Sequence, residues 1–352
     1  MENGKWKSTA KLMLDRLAMP VASPLWISEA EVVSLMDLGE AIQALEKGLL
    51  AEARGEAQNM VKTHVGWGDG ATLHAIGAVF PQAGFAGTKT WAHTEGGATP
   101  LLILFDSRTG ALRAVIEAFA LGQLRTGSAS GVATRWLAAE GADELAIIGT
   151  GKQALTQVAA VVAVRPIKRV RVFGRHKERR AQFAARVREE FDLEVVTANS
   201  VAEAVTGAPI ITVVTRAAEP ILSAADVAKG AHINSVGAIV PSRAEIAGDV
   251  LARAHQIVVD SVPSAQKLSR ELIDYFGSGQ ASWDRVQSLA SLVAAGQRRA
   301  AAADLTLFKS LGIGIADLSL GIELYHQALR RGLGRSFAHP HKAAPRLRPI
   351  NH

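Results

Sequence analysis

The 352-residue chain predicts an α/β fold: a doubly wound parallel sheet domain plus a second unit of α+β character. Three observations carry this. From about Glu144 short apolar runs alternate with helix-length segments, the first run leads directly into a glycine-rich turn, and residues 1–142 lack the rhythm.

In the N-terminal unit, Trp26-Ile-Ser28 leads into a helix expected from Glu29 to about Arg54. Strands are expected at Leu73–Phe80, Gly87–His93, Leu101–Phe105 and Leu112–Glu117, the last two joined as a hairpin by the turn Asp106-Ser-Arg-Thr-Gly110. Arg125-Thr126 precedes a helix of small residues, Gly127-Ser-Ala-Ser-Gly131, suited to close backbone approach. From Leu145-Ala-Ile-Ile148 the second pattern begins, with a helix after Ala154 to about Val164. Val170–Phe173 and Leu193–Val196 flank a helix in which Phe183, Val187 and Phe191 recur every four residues among charges. Pro209–Val214, His232–Val236 and Gln256–Asp260 continue the alternation. Because these short, mainly apolar runs alternate with helices, their sheet is expected to be covered on both faces. The expected boundaries are 1–142 for the first unit, 143–312 for the second, 313–335 packing back on the first through a helix at about 314–331, and 336–352 as a flexible basic tail.

With 48% hydrophobic and 20% charged residues, the chain has material for a packed core. The absence of cysteine excludes a disulfide scaffold, a thiolate nucleophile and any Cys-ligated metal, and no metal site is expected. No apolar stretch approaches the roughly 20 residues of a membrane span. Met1 to Pro20 mixes lysines with Glu2 and Asp15, so no signal peptide is expected and a cytoplasmic location is. The net charge of +6 invites nucleic acid as a partner. Its position argues against that, because Arg330, Arg331, Arg335, Lys342, Arg346 and Arg348 lie together near the end without an acid. Setting them aside leaves as many basic as acidic residues, whereas a phosphate-backbone surface is built into the fold.

Gly149-x-Gly151-x-x-Ala154 stands between a strand and a helix, the context of a Rossmann dinucleotide fingerprint. Gly149 permits the tight turn, Gly151 lets backbone approach a pyrophosphate, and Ala154 lets the helix pack on its strand. Some twenty residues on, where an NAD site carries an acid, the chain has Gly174 followed by Arg175, His176 and Lys177. A guanidinium there can grip a 2′-phosphate, so NADP(H) is expected over NAD(H).

The substrate half is read from Phe85, Gly87, Lys89, Trp91 and His93, which alternation puts on one strand face. A lysine among apolar neighbours has its pKa lowered by desolvation; the other reading is a lysine that snorkels. Arg125 can clamp a carboxylate, and His74 and His93 are proton-transfer candidates. Trp67, Trp91 and Phe80 are candidate aromatic walls.

The order of these motifs resembles the ornithine cyclodeaminase/mu-crystallin family from about Trp26 to about Ala328. Gly87-Thr-Lys89, Leu102–Gly110, Leu124-Arg-Thr126, Ile148–Ala154, Val170–Arg175, Glu219-Pro-Ile-Leu222, His232–Gly237 and Leu307–Gly312 follow one another at family-like spacing. The resemblance implies a homodimer of two-domain chains that binds a small anionic imino or amino acid. It matches Lys89 to the active-site lysine and Arg125 to the carboxylate-binding arginine. Lys62 falls near a second such arginine, and His74 where cyclodeaminases have a catalytic glutamate. The implied cofactor contacts are Thr126, Gly149, Thr150, Gly151, Gln153, Ala154, Arg175, His176, Lys177, Thr215, Val236 and Gly237. Cyclodeaminases carry an Asp where this chain has Ile239, and an isoleucine takes no proton. The implied activity is therefore NAD(P)H-dependent reduction of the C=N bond of an imino acid, with Lys89 or His74 giving the proton. An amino-acid dehydrogenase or cyclodeaminase-type enzyme, and a non-catalytic NADPH-dependent binding protein, are the alternatives.

Overall fold

In the computed structural model, which describes residues 23–277 and 280–348, two sheets are joined through one long helix. The stretch in which no signal peptide is expected, and the last four residues of the basic tail, lie outside the described residues.

Local capping chemistry decides the first helices. Ser28 and Glu31 bond each other's backbone at the start of α1 (Glu29–Leu35), and Asp37 and Glu40 do the same for α2 (Leu38–Ala53). The single helix expected over 29–54 is thus two, restarted at Asp37.

The first sheet holds β1 (Leu25–Ile27), β2 (Gln58–Asn59), β3 (Thr63–Trp67), β4 (Ala71–Phe80), β5 (Phe85–Thr94), β6 (Gly97–Ala98), β7 (Leu101–Asp106) and β8 (Leu112–Glu117). Its order is β1-β8-β7-β5-β4-β2, with β3 beside β4 and β6 beside β5; Arg335–Ser336 pairs with β1 at the edge. The first position of the expected tail is therefore hydrogen-bonded in a sheet, and Arg330 and Arg331 lie in the last helix, paired with Glu323 and with the Ser34 carbonyl. β4 and β5 form a long hairpin in which His74 opposes Trp91 and Ile76 opposes Lys89. β3, which the sequence did not signal, places His64 opposite His74.

The last helix, Gly314–Arg331, lies across the inner face of β4, β5 and β7. Its start touches β4 so closely that a Cβ on Gly314 would sit 1.8 Å from the Gly77 carbonyl oxygen. The outer face has no such cover: Val65 is 59% exposed, Trp67 48%, and Val61, Leu73 and Val79 are also open.

The helix α3 (Phe119–Leu137) starts earlier than expected, so Arg125 and Thr126 lie in its second turn and do not precede it. Its small residues act as the sequence implies. A Cβ on Gly127 would press on Thr156, and one on Gly131 on Ile42, so α3 packs tightly against both halves of the molecule.

The second sheet is parallel throughout, in the order β11-β10-β9-β12-β13-β16-β14-β15. Its strands are β9 (Glu144–Ile148), β10 (Arg169–Phe173), β11 (Glu194–Thr197), β12 (Ile210–Val213), β13 (Ala231–Ser235), β14 (Gln256–Val259), β15 (Val286–Ser288) and β16 (Leu305–Lys309). The helices α4 (Ala154–Val162) and α5 (Lys177–Phe191) cover one face. Leu145 and Ile147 of β9 enter that core, while Ala146 and Ile148 enter the core on the opposite face. This is why the strand is apolar at every position after Glu144. Among the described residues no helix is long and apolar enough to cross a membrane.

Candidate active site

The end of β9 and the start of α4 build the first half of the site. Gly149 has a φ of +115°, and a Cβ there would lie 2.5 Å from the Val214 carbonyl oxygen, so only glycine fits the turn. A Cβ on Gly151 would meet nothing within 4 Å, which leaves open space over the turn. No side chain caps α4, whose first N–H, that of Ala154, donates to the Gly151 carbonyl at 3.0 Å. Thr150 packs on Gly174, tying the glycine turn to the end of β10. Beyond Gly174, Arg175, His176 and Lys177 are exposed. These features fit a dinucleotide with its pyrophosphate over Gly151, and no acid ends β10.

Thr215, Val236 and Gly237 stand at the carboxyl ends of β12 and β13. The carboxylate that organises them was not found from the sequence. Glu245, fully buried, accepts from Thr215 N (2.5 Å), Thr215 Oγ1 (2.9 Å), Ser235 Oγ (3.2 Å), Gly237 N (2.7 Å) and Ala238 N (3.1 Å). Burial pushes its pKa up against the pull of Lys309, whose Nζ lies 3.0 Å from Glu271. Thr126 keeps its hydroxyl within α3, on the Gly122 carbonyl.

The second half forms where the inner face of the first sheet meets α3 and the last helix. Lys89 is 4% exposed, and its Nζ donates to Asp317 Oδ1 at 2.5 Å. Arg125 Nε lies 3.5 Å from the same oxygen. Burial lowers the Lys89 pKa to about 8, with Asp317 opposing the fall and Arg125 and Lys62 adding to it. Lys62, half-buried, is lowered first by burial and next by Arg125. The three cations thus lie close enough for their charges to act on one another.

His74 stacks on Trp91, ring centroids 4.6 Å apart, and on His64 at 5.6 Å; Nε2 lies 2.8 Å from Thr72 Oγ1. Burial, followed by Lys62, lowers its pKa, so the ring is neutral at pH 7. His93 is exposed. Of the three candidate walls only Trp91 reaches the site: Trp67 lies on the open outer face, and Phe80 is in the core at the far end of β4. Ile239 is 36% exposed after β13.

Asp317, wholly buried in the first turn of the last helix, and Asp260 are further groups the sequence did not single out. An acid in a helix's first turn reads as ordinary dipole complementarity; its place in an otherwise buried apolar turn is the signal that could have found it. Asp260 Oδ2 accepts from Ser310 Oγ and from the backbone N–H of Leu311 and Gly312, which fixes the bend beneath Arg125. Among the described residues no cluster of three His, Asp or Glu could hold a metal. The two halves adjoin through α3, where Arg125 and Thr126 sit beside Gly127, packed on the first turn of α4.

Over residues 24–332 the chain matches the model of the ornithine cyclodeaminase/mu-crystallin family. A Delta(1)-pyrroline-2-carboxylate reductase from Bacillus cereus is 34% identical over 236 residues, 66% of this chain and 72% of that protein. The structure of Thermococcus litoralis Delta(1)-pyrroline-2-carboxylate reductase in complex with NADH and L-proline is similar at a TM-score of 0.83 and 28% identity, over 89% of this chain and 100% of that one. An archaeal alanine dehydrogenase dimer with bound NAD gives 0.82 at 27% identity, over 90% and 99%.

Proposed function

We propose that this chain, which belongs to the ornithine cyclodeaminase/mu-crystallin family, reduces the C=N bond of a small imino acid to a secondary or primary amine. The observation that carries the reading is the convergence of Lys89 and Arg125 on one oxygen of the buried Asp317, with Lys62 near enough for its charge to act on Lys89. When bound, a reduced nicotinamide supplies a hydride to the imine carbon. Arg125 and Lys62 hold the substrate carboxylate, the first as a planar fork and the second as a point charge. Their charge also draws electrons from the C=N bond. Lys89 breaks an Nζ–H bond as the new N–H bond forms, and takes a replacement proton from solvent. The neutral state of His74 makes it the poorer donor.

Several finer points belong to the same reading. The substrate class follows the relatives, a cyclic ketimine carboxylate such as Delta(1)-pyrroline-2-carboxylate, with the imine of a 2-oxo acid beside it. NADPH is the preferred cofactor because Arg175 and Lys177 stand where an acid would otherwise bind the ribose. A second copy of the chain covers the open apolar face of the first sheet. We take residues 1–142 with 313–335 as the substrate unit, and 143–312 as the cofactor unit.

The test is oxidation of NADPH against cyclic ketimine carboxylates and against 2-oxo acids with amines, beside NADH. Turnover of an imine by the wild type, lost in Lys89→Met while NADPH still binds, is the expected result. NADP+ reduction by an amino acid with no imine reduction would make it a dehydrogenase. Tight ligand binding with no cofactor oxidation across the panel would overturn an enzymatic reading.

A further inference from the structure

Lys89 Nζ and Arg125 Nε address the same oxygen of one buried carboxylate, Asp317 Oδ1, at 2.5 and 3.5 Å. We propose that Asp317 is a positioning residue that divides the work between these two cations: it holds Lys89 as the charged proton donor and leaves the outer edge of the Arg125 guanidinium for the substrate carboxylate. This rests on the imine reduction proposed above.

The geometry is one-sided for each cation. Lys89 lies under the last helix with its ammonium anchored on Asp317 and 5.2 Å from the Trp91 ring. A flexible four-carbon stem held at its tip keeps one direction, which a proton donor requires. Arg125 turns Nε toward Asp317, while Nη1 and Nη2 lie over Gly312, so the two-pronged edge is not used up by the protein's own carboxylate.

Charge supports the same division. Lys89 is faced by Asp317 from the last helix, by Arg125 from α3 and by Lys62 ahead of β3, with His74 on β4 beside Trp91. Asp317 is the negative group among them. Without it, three cations repel one another in a pocket of low dielectric, and Lys89 sheds its proton at lower pH. Burial and the two cations already pull the Lys89 pKa down to about 8, and the ion pair with Asp317 keeps it from falling further.

Asp317→Asn tests this with two readouts. In the protein without cofactor, the NMR titration midpoint of 13C-labelled Lys89 should fall by at least about one pH unit, a roughly tenfold loss of proton affinity. The high-pH limb of reductive kcat/KM should move down by the same interval, with NADPH affinity unchanged. A turnover lowered equally at every pH, with both midpoints unmoved, would overturn the proposal. If the wild type reduces no imine, a Lys89 midpoint in Asp317→Asn equal to that of the wild type would still overturn it, because that readout does not depend on the reaction. Asp317→Glu keeps the charge but displaces it by one methylene. Its expected signature is a near-native Lys89 midpoint with a lowered kcat, and an unchanged kcat would refute positioning even if the Asn variant does not fold.

Discussion

Gly312 lies directly beneath the Arg125 guanidinium: a Cβ at this position would stand 2.9 Å from Nη1. The residue is held there by its N–H bond to Asp260 Oδ2 and has a φ of +87°. Arg125 therefore rests on a surface that only glycine provides. Gly312→Ala should raise KM for the imino acid about tenfold or more while NADPH affinity stays within about twofold, since what moves is the carboxylate fork. The backbone strain should cost about 1–2 kcal/mol of stability. Steady-state kinetics and cofactor titration check this, and an unchanged KM would remove Arg125 from substrate binding.

Two candidates compete for the proton transfer, and their environments separate them. Burial and Lys62 hold His74 neutral, while Asp317 keeps Lys89 charged into the pH range below about 8. His74→Gln should lower kcat by no more than about tenfold and leave the high-pH limb in place. A loss of about a thousandfold would transfer the donor role to His74.

Glu52, on α2, accepts from Asn59 Nδ2 at Oε1 (2.7 Å) and buries Oε2 without a partner. Burial first, with Asp260 adding to it, raises its pKa from 4.5 to about 7. The folded state then holds a proton that the unfolded chain releases, so this group's contribution is present below pH 4.5 and is lost as the pH rises to about 7. Relative to wild type, Glu52→Gln should gain on the order of 1–3 kcal/mol between pH 5 and pH 7 in urea unfolding. Parallel curves for the two proteins would place the titration elsewhere.

At the cofactor end, Arg175 is exposed, with no acid closing β10. Wild type should bind NADPH more tightly than NADH. Arg175→Ala should weaken NADPH about tenfold and NADH hardly at all, because only the former carries the 2′-phosphate. Fluorescence titration of both cofactors decides it, and equal losses would make Arg175 a general contact.

For assembly, Val65→Asp on the open outer face of the first sheet is the sharpest probe. A carboxylate buried between two apolar sheet faces without a partner costs several kcal/mol, roughly 3 or more. The wild type should sediment as a dimer and the variant as a monomer. A wild-type monomer, or a variant dimer of equal strength, would mean the face is covered otherwise.

Much of this site was legible because its pieces are local. Gly149 and Gly151 announce themselves by standing between an apolar strand and a helix, and Lys89 by alternating with Phe85 and Trp91. Asp317 was not legible, since its partner is 228 positions away and an acid at a helix start has an ordinary explanation. Glu245 was hidden because its five donors, from Thr215, Ser235, Gly237 and Ala238, meet only once the ends of β12 and β13 are side by side. Trp67 stood beside Trp91 and Phe80 as a candidate wall because alternation says which residues share a face, not which face is covered. That required the register of β3 on β4, with Trp67 opposite Ala71. The break at Asp37 was open to reading, because Asp37 and Glu40 form a capping box within four residues.

The last helix, finally, imposes an order on biosynthesis. Lys62 and the strands carrying His74 and Lys89 leave the ribosome more than two hundred residues before Asp317. During that interval the first sheet has neither its inner cover nor the counter-charge for its buried lysine. A nascent chain that ends in the second sheet beyond β9 already has its glycine turn, but Lys89 is still unanchored. Cofactor recognition can therefore be acquired while the chain is being made, whereas turnover has to wait for nearly the whole polypeptide.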